Sequence, residues 1–365
     1  MNVLSPRTFD IAEFRRIDGV FAHVDLMMVV KSQNQSERRA NMLASLKDGK
    51  WGRSEQRDIS IGLLARGHLA QGAFQEQWRR EYREPRHFRQ HGAKALLTEV
   101  NRVVELDAQF QEAGEIRHPF FAFLHTVDIS ADGRRILVTS SGYDRLMEFE
   151  ATDHGYAESW SWVGWRHGFN PDENGLWVTD DKAEQRELEA KGIACRFVDP
   201  KDHGEQGLLT SERTVHPNVA VYDPHDGERS ILLSCGKKGE LYRVDRSTGD
   251  VNLVCDSLHC MPHGLVPYRD GWAATDTTVG RWCVFDRDFR PLAEYLLRTL
   301  PGKPAYVGPA EWVQQCIPYE DGFLALDANR GLLAVDLSRR CYSVYSLDPE
   351  WCVQDVQTID APQDR

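Results

Sequence analysis

The sequence predicts an all-β fold, a β-propeller, on three observations. One phrase recurs: HGLVPYRDGWAAT from His263, HTVDISADGRRILVT from His125, HGFNPDENGLWVT from His167 and QQCIPYEDGFLAL from Gln314. In all four a polar leader stands seven residues before the Asp or Asn of a tight turn with Gly. A fifth copy, from His216, carries three extra residues before Asp226-Gly227. The leaders at 125, 167, 216, 263 and 314 are 42, 49, 47 and 51 residues apart, a period that fits repeated four-stranded sheets.

Taken in order, residues 1–86 do not show the repeat. Val20 to Lys31 has the β-branched and apolar content of a buried strand, and Ile59 to Ala65 is a weaker strand candidate. Ser36 to Leu46 and Gly72 to Arg83 read as helices, without internal Gly or Pro. The Arg79-Arg80 and Arg83–Arg86 charges read as a solvated face. Residues 1–86 are therefore expected to form a segment of helices and closing outer strands, and residues 87–365 the blades, within one domain.

His87 leads a looser unit with strand-like runs at Ala95 to Val100 and Val103 to Asp107. The unit from His125 carries four strand signals, the length of one blade. The unit from His167 is interrupted after Thr179 by DDKAEQRELEAKG, a charged helical insertion of the kind that emerges at one face of a repeat array. The units from His216, His263 and Gln314 each carry three further strand runs. EWCVQDVQTID from Glu350 echoes EWVQQCIPYED from Glu311, so Gln354 heads a last inner strand that closes the ring with N-terminal strands. Leaders at 87, 125, 167, 216, 263, 314 and 354 favour seven blades, with six as the alternative.

Composition narrows the function. The formal net charge of −12 repels a nucleic-acid backbone, so nucleic acid is not an expected partner. No apolar run approaches the ~20 residues that span a bilayer, and the N-terminus lacks a secretory h-region, so no membrane insertion is expected and the location is read as cytoplasmic. All eight cysteines lie in the second half, mostly in predicted strands, which suits reduced, buried thiols.

In a propeller, equivalent positions on successive inner strands converge on the axis. The converging set is His125, His167, His216 and His263, with His87, Gln314 and Gln354 as channel candidates. Imidazoles meeting at one point suit a transition metal, Fe, Cu, Ni or Zn, and not Ca²⁺. The competing reading has each histidine bonding nearby backbone and holding its blade. Glu311 and Glu350, just before inner strands, are candidates to orient ligand histidines. Trp165, Phe123 and Trp312 are candidates for an apolar substrate wall. Asp144, Asp276 and Asp327 read as strand-end residues bonding local backbone. Cys255, His259, Cys260 and His263 are a weaker zinc candidate, their spacing being unlike paired-ligand motifs. No GxSxG, phosphate loop or HExxH is present, and no catalytic residue is assigned.

The four-histidine pattern from His125 to His263 resembles the design of the carotenoid cleavage oxygenases, seven-bladed propellers with an axial Fe(II) held by four histidines. The short Asp-Gly blades are also similar to those of lactonase and strictosidine-synthase-like propellers, whose oxygen-rich metal set is not what stands here. The expectation is a metalloenzyme performing Fe(II)-dependent oxidation or oxidative cleavage of a small, partly apolar molecule. A metal-dependent lyase, cyclase or hydrolase, or a non-catalytic binding scaffold, are the alternatives.

Overall fold

In two of the repeats, those that open blades 4 and 5, the repeated glycine is fixed by the third strand of its blade. A Cβ on Gly271 would stand 2.2 Å from Phe285 O, and one on Gly322 1.8 Å from Val335 O. The phrase therefore folds as an antiparallel hairpin pressed against its next strand, with Tyr268 opposite Gly271 and Tyr319 opposite Gly322. The computed structural model describes residues 5–47, 55–172, 174–199, 201, 207–259 and 261–359.

Six four-stranded blades result. Their inner strands are His87–His91 (blade 1), Leu124–Ile129 (blade 2), Pro217–Tyr222 (blade 3), His263–Tyr268 (blade 4), Val313–Tyr319 (blade 5) and Val353–Thr358 (blade 6). The last inner strand pairs with Asp25–Val30, which continues into Ile61–Ala70 and Ala73–Arg83. N- and C-terminal segments thus share blade 6, the closure expected from Gln354. Two further N-terminal strands lie parallel on the outside, Arg7–Asp10 on blade 4 and Arg15–Arg16 on blade 5.

The second strands look apolar throughout because both of their faces are buried. Leu137 packs toward blade 3 and Val138 toward blade 1, while Leu233 packs toward blade 2 and Leu232 toward blade 4. An apolar core fills each of the six junctions in this way. Large aromatics sit in them, among them Trp162 between blades 2 and 3 and Trp272 between blades 3 and 4. Each fully buried side chain of this size contributes roughly 2–3 kcal/mol.

The preferred count of seven is corrected to six, because the unit from His167 is not a blade. Its strand Trp177–Thr179 pairs in parallel with Cys195–Phe197 around a helix, α1 (Lys182–Ala190), the expected charged insertion. Blade 3 packs directly on blade 2, with Ala220 N donating to Thr126 Oγ1 (3.2 Å) and Tyr222 N to Asp128 Oδ2 (3.0 Å), which leaves no gap for another sheet. The helix expected over Gly72 to Arg83 is also corrected to a strand. Phe74, Trp78 and Tyr82 are four apart, a spacing that fits a helix and, being even, a strand as well. The turn at Gln71 and Gly72, both with positive φ, decides for the strand by folding the chain back on Ile61–Ala70. The expected helix from Ser36 is present as Gln35–Lys47, here α2. No helix among the described residues is long and apolar enough to cross a membrane.

Candidate functional site: a cationic mouth on the propeller axis

At one end of the axis the inner strands open into a cavity of about 250 Å³. Each blade contributes to its lining: Arg86 from just before blade 1, His125 from blade 2, His216 from just before blade 3, His263 from blade 4, Gln314 from blade 5 and Gln354 from blade 6. Five of the six inner strands carry a bulge within their first residues, a device that re-aims side chains. In the first four blades the backbone also turns left-handed on entering the axis, at Glu84 (φ 46°), Phe123 (φ 46°), His216 (φ 50°) and Met261 (φ 65°). Such strained non-glycine residues collect where side-chain placement matters.

The structure brings three of the four expected histidines together. The rings of His125 and His216 are 5.4 Å apart, edge to face, and His263 lines the same cavity. His167 is elsewhere: it stacks on Trp162 at 5.4 Å, its Nδ1 lies 2.8 Å from Val163 O, and Gly249 on an outer turn of blade 3 adjoins its Nε2. Among the described residues, no group of three or more His, Cys, Asp or Glu side chains is arranged to hold one metal ion. Cys260 of the weaker zinc candidate lies outside the described residues.

The other expected site residues divide. Gln314 and Gln354 line the mouth, and Trp312 stands beside them, donating from Nε1 to Gln314 Oε1 at 2.8 Å. Phe123 lines it too, with the guanidiniums of Arg57, Arg86 and Arg213 5.5, 5.1 and 5.4 Å from its ring centre. His87 points below the mouth into the narrow channel, its Nδ1 accepting from Val127 N at 3.4 Å. Three assignments are corrected. Glu311 faces Arg330 (2.8 Å) and Lys303 (2.5 Å) and orients no histidine. Glu350 bonds Ser36 at the start of α2. Trp165 is buried with Ala122, Tyr143 and Val178 under the insertion.

Sequence reading missed the charges. Lys31, Arg38, Arg57, Arg86 and Arg213 all line the mouth, and no Asp or Glu does among the described residues. Arg86, read as solvated, is 7% exposed. Pro85 and the chain's entry into blade 1 put it at the axis, and the one signal was its place immediately before His87. Arg213 and Thr210 come from the end of the insertion, which therefore emerges at the mouth. Behind the cations lies Glu84, fully buried. Its Oε1 accepts from Arg86 at 2.6 Å and from Arg57, with Lys31 Nζ 3.8 Å away. Its Oε2 has no hydrogen-bond partner among the described residues. Burial would raise the Glu84 carboxyl, but Arg86, Lys31 and Arg57 prevail and hold it well below the usual carboxylate range.

The imidazoles are neutral and set in different tautomers. Burial, then Arg86, lowers His125 well below the ordinary histidine value; burial, then Arg213, does the same for His216. Burial pushes His263 down to about 4. Arg86 Nη1, which can only donate, is 2.6 Å from His125 Nε2, so the His125 proton is on Nδ1. Arg213 Nη1 is 3.3 Å from His216 Nδ1, which makes His216 Nε2 the donor. His263 Nδ1 donates to Met261 O at 2.9 Å, which leaves the lone pair on Nε2. The cavity thus contains a neutral N–H donor and a neutral base among fixed cations.

A pH dependence follows. An unfolded histidine takes its proton near 6.5, whereas folded His263 does so only near 4, so the unfolded state binds more protons between those values and stability is lost as pH is lowered through that window. His263 alone contributes on the order of 3 kcal/mol, fully present above about pH 6.5. His125 and His216 act in the same direction; the Asp144 carboxyl, raised by burial, opposes them in part. Urea midpoints are expected to drop steadily from about pH 7 to about pH 5. A flat profile would contradict burial of three neutral imidazoles.

No family model matches the chain, and no curated protein matches it. Among solved structures, it is similar to a protein of unknown function from Bacteroides caccae, at 11% identity and a TM-score of 0.54 over 93% of this chain and 100% of that one. It is also similar to a chain of a nidogen/laminin complex, at 9% identity and a TM-score of 0.51 over 91% and 97%. Virginiamycin B lyase from Staphylococcus aureus aligns at 10% identity and a TM-score of 0.44, over 77% and 71%. The first two likenesses support the propeller fold and go no further.

Proposed function

We propose that the mouth of the propeller recognises a small organic anion, carrying a carboxylate or a phosphate, and holds it against neutral acid–base groups. The observation that carries this is the lining itself: four arginines, a lysine and, among the described residues, no acid, in a chain of net charge −12. Arginines present paired N–H donors that match carboxylate and phosphate oxygens, and low-dielectric walls strengthen each contact. Phe123 and Trp312 give the bound molecule an apolar wall, and the His263 lone pair offers an acceptor beside it. Enzymatic turnover is read from this last group.

A transition metal is the weaker reading. Three imidazoles converge, but Arg86 occupies the His125 lone pair and Arg213 that of His216 Nδ1, and four arginines oppose a further divalent charge. The residues present therefore do not fit Fe(II).

Thermal-shift and calorimetric titration with a panel of carboxylates and phosphate esters tests the proposal. At about 100 times its Kd, a true ligand is expected to add about 2.7 kcal/mol of stability. Affinity should fall as salt is raised. Stabilisation by Fe(II), Cu or Zn with no response to any anion would reverse the ranking.

A further inference from the structure

We infer that Lys31 is the nucleophilic amine of the mouth, and that its substrate is an oxo acid, a carboxylate bearing a ketone or aldehyde carbonyl that Lys31 captures as an imine. The inference rests on the anion reading above and narrows its ligand.

Lys31 follows the blade 6 strand Asp25–Val30, and its backbone N–H donates to Cys352 O at 2.9 Å, which fixes the root of the side chain at the axis. The side chain is 15% exposed and lines both the mouth and an adjoining cavity of about 230 Å³ under α2. Its nearest carboxylate oxygen, Glu84 Oε1 at 3.8 Å, is already taken by the closer Arg86 and by Arg57. The amine thus stands in a cavity without a close ion pair to hold it as ammonium. Around it are Arg86 from the entry to blade 1, Arg38 from α2, and Glu84 and Cys352 on the opposing side of the balance. Burial first, then Arg86 and Arg38, lowers its proton affinity well below that of an ordinary lysine, and Glu84 and Cys352 offset this only in part. A lysine desolvated beside other cations is an activated nucleophile.

The remaining parts are in the same cavity. Arg86, Arg57 and Arg213 hold the substrate carboxylate, which brings the carbonyl carbon near Nζ. The amine lone pair attacks that carbon and the C=O π electrons move to oxygen. Nitrogen gives up a proton to a neutral imidazole, for which His263 Nε2 has the lone pair, and the imidazolium passes it to that oxygen, giving a hydroxyl. A second proton moves from nitrogen to the hydroxyl by the same route, the C–O bond breaks, water leaves, and C=N forms. Electrons and atoms balance with no oxidant or reductant. The imine then withdraws electrons from an adjacent C–C or C–H bond, the requirement of decarboxylation, aldol cleavage or proton abstraction.

The test uses the full chain with pyruvate, 2-oxoglutarate and acetoacetate as probes, reduced with sodium cyanoborohydride and mapped by peptide mass spectrometry. Calorimetry with the same acids, and with lactate and succinate, runs in parallel. The expected result is a reduced adduct on Lys31 in at least about tenfold excess over any other lysine. Lys31→Arg, which has no primary amine, is expected to form no adduct at position 31. Binding of the acids with adducts absent from Lys31, or spread evenly over the lysines, overturns the inference and leaves the anion reading intact. If none of these acids binds, the inference is overturned, and the anion reading falls with it if phosphate esters fail to bind as well.

Discussion

Replacing Arg86 with methionine is expected to weaken binding of a carboxylate or phosphate ligand by about 100-fold or more, the loss of a charge-assisted contact in a desolvated site. Arg86 lines both the mouth and the channel below it, and is bonded to both His125 Nε2 and Glu84 Oε1. Its removal has a second effect, because Glu84 keeps only Arg57 and the distant Lys31. Stripping a partner from a buried charge costs about 3–5 kcal/mol, so the variant is also expected to unfold at lower urea. The two effects separate in the double variant Glu84→Gln/Arg86→Met, where stability should largely return and affinity should not. If affinity returned as well, Arg86 would be a structural counter-ion and the mouth would lose its principal anion contact.

The second large effect is expected at Asp144. This fully buried carboxylate, at a left-handed position (φ 48°), ends the blade 2 hairpin and accepts the backbone N–H groups of Thr214, Val215 (3.2 Å) and His216 (2.8 Å). Alanine would strand three buried donors, at a cost on the order of 4 kcal/mol. It would also release the segment that carries Arg213 and His216, so weaker ligand binding should accompany the stability loss. Asparagine tolerates the left-handed backbone and keeps one acceptor oxygen, and should fall between alanine and the parent. Urea denaturation and calorimetry on the two variants provide the check; equal behaviour of Asn and Ala would show that the oxygens matter less than the geometry assigns.

The repeat was legible because its determinants are local: a polar leader, an apolar run, and a glycine that positive φ favours in blades 2 and 3 and contact with the third strand requires in blades 4 and 5. That period located the inner strands of blades 2 to 5, and the echo of Glu311 at Glu350 located the closing strand. His167 misled because its phrase matches in seven-residue spacing, yet what makes a blade is three further strands, and α1 replaces them. The strand Ala73–Arg83 misled because a spacing of four satisfies both periods. The site was half legible. His125, His216, His263, Gln314 and Gln354 announce themselves by register. Lys31, Arg38, Arg57 and Arg213 reach the mouth from a strand end, a helix, a connecting segment and an insertion, and no single period relates them. Their charges look like surface in the sequence and become a site only when six blades bring them to one axis.

The shared sixth blade has a consequence for how the chain is made. Domains fold during synthesis as their parts emerge, N-terminal parts first. Here the strands Asp25–Val30, Ile61–Ala70 and Ala73–Arg83 are made early and wait for Val353–Thr358 to complete their sheet. That late strand also delivers Gln354 and places Cys352 O on the Lys31 backbone. A ribosome that stops short of it leaves an open ring with a blade edge unpaired and an unfinished mouth. Ligand binding therefore depends on chain segments more than 300 residues apart meeting in one sheet.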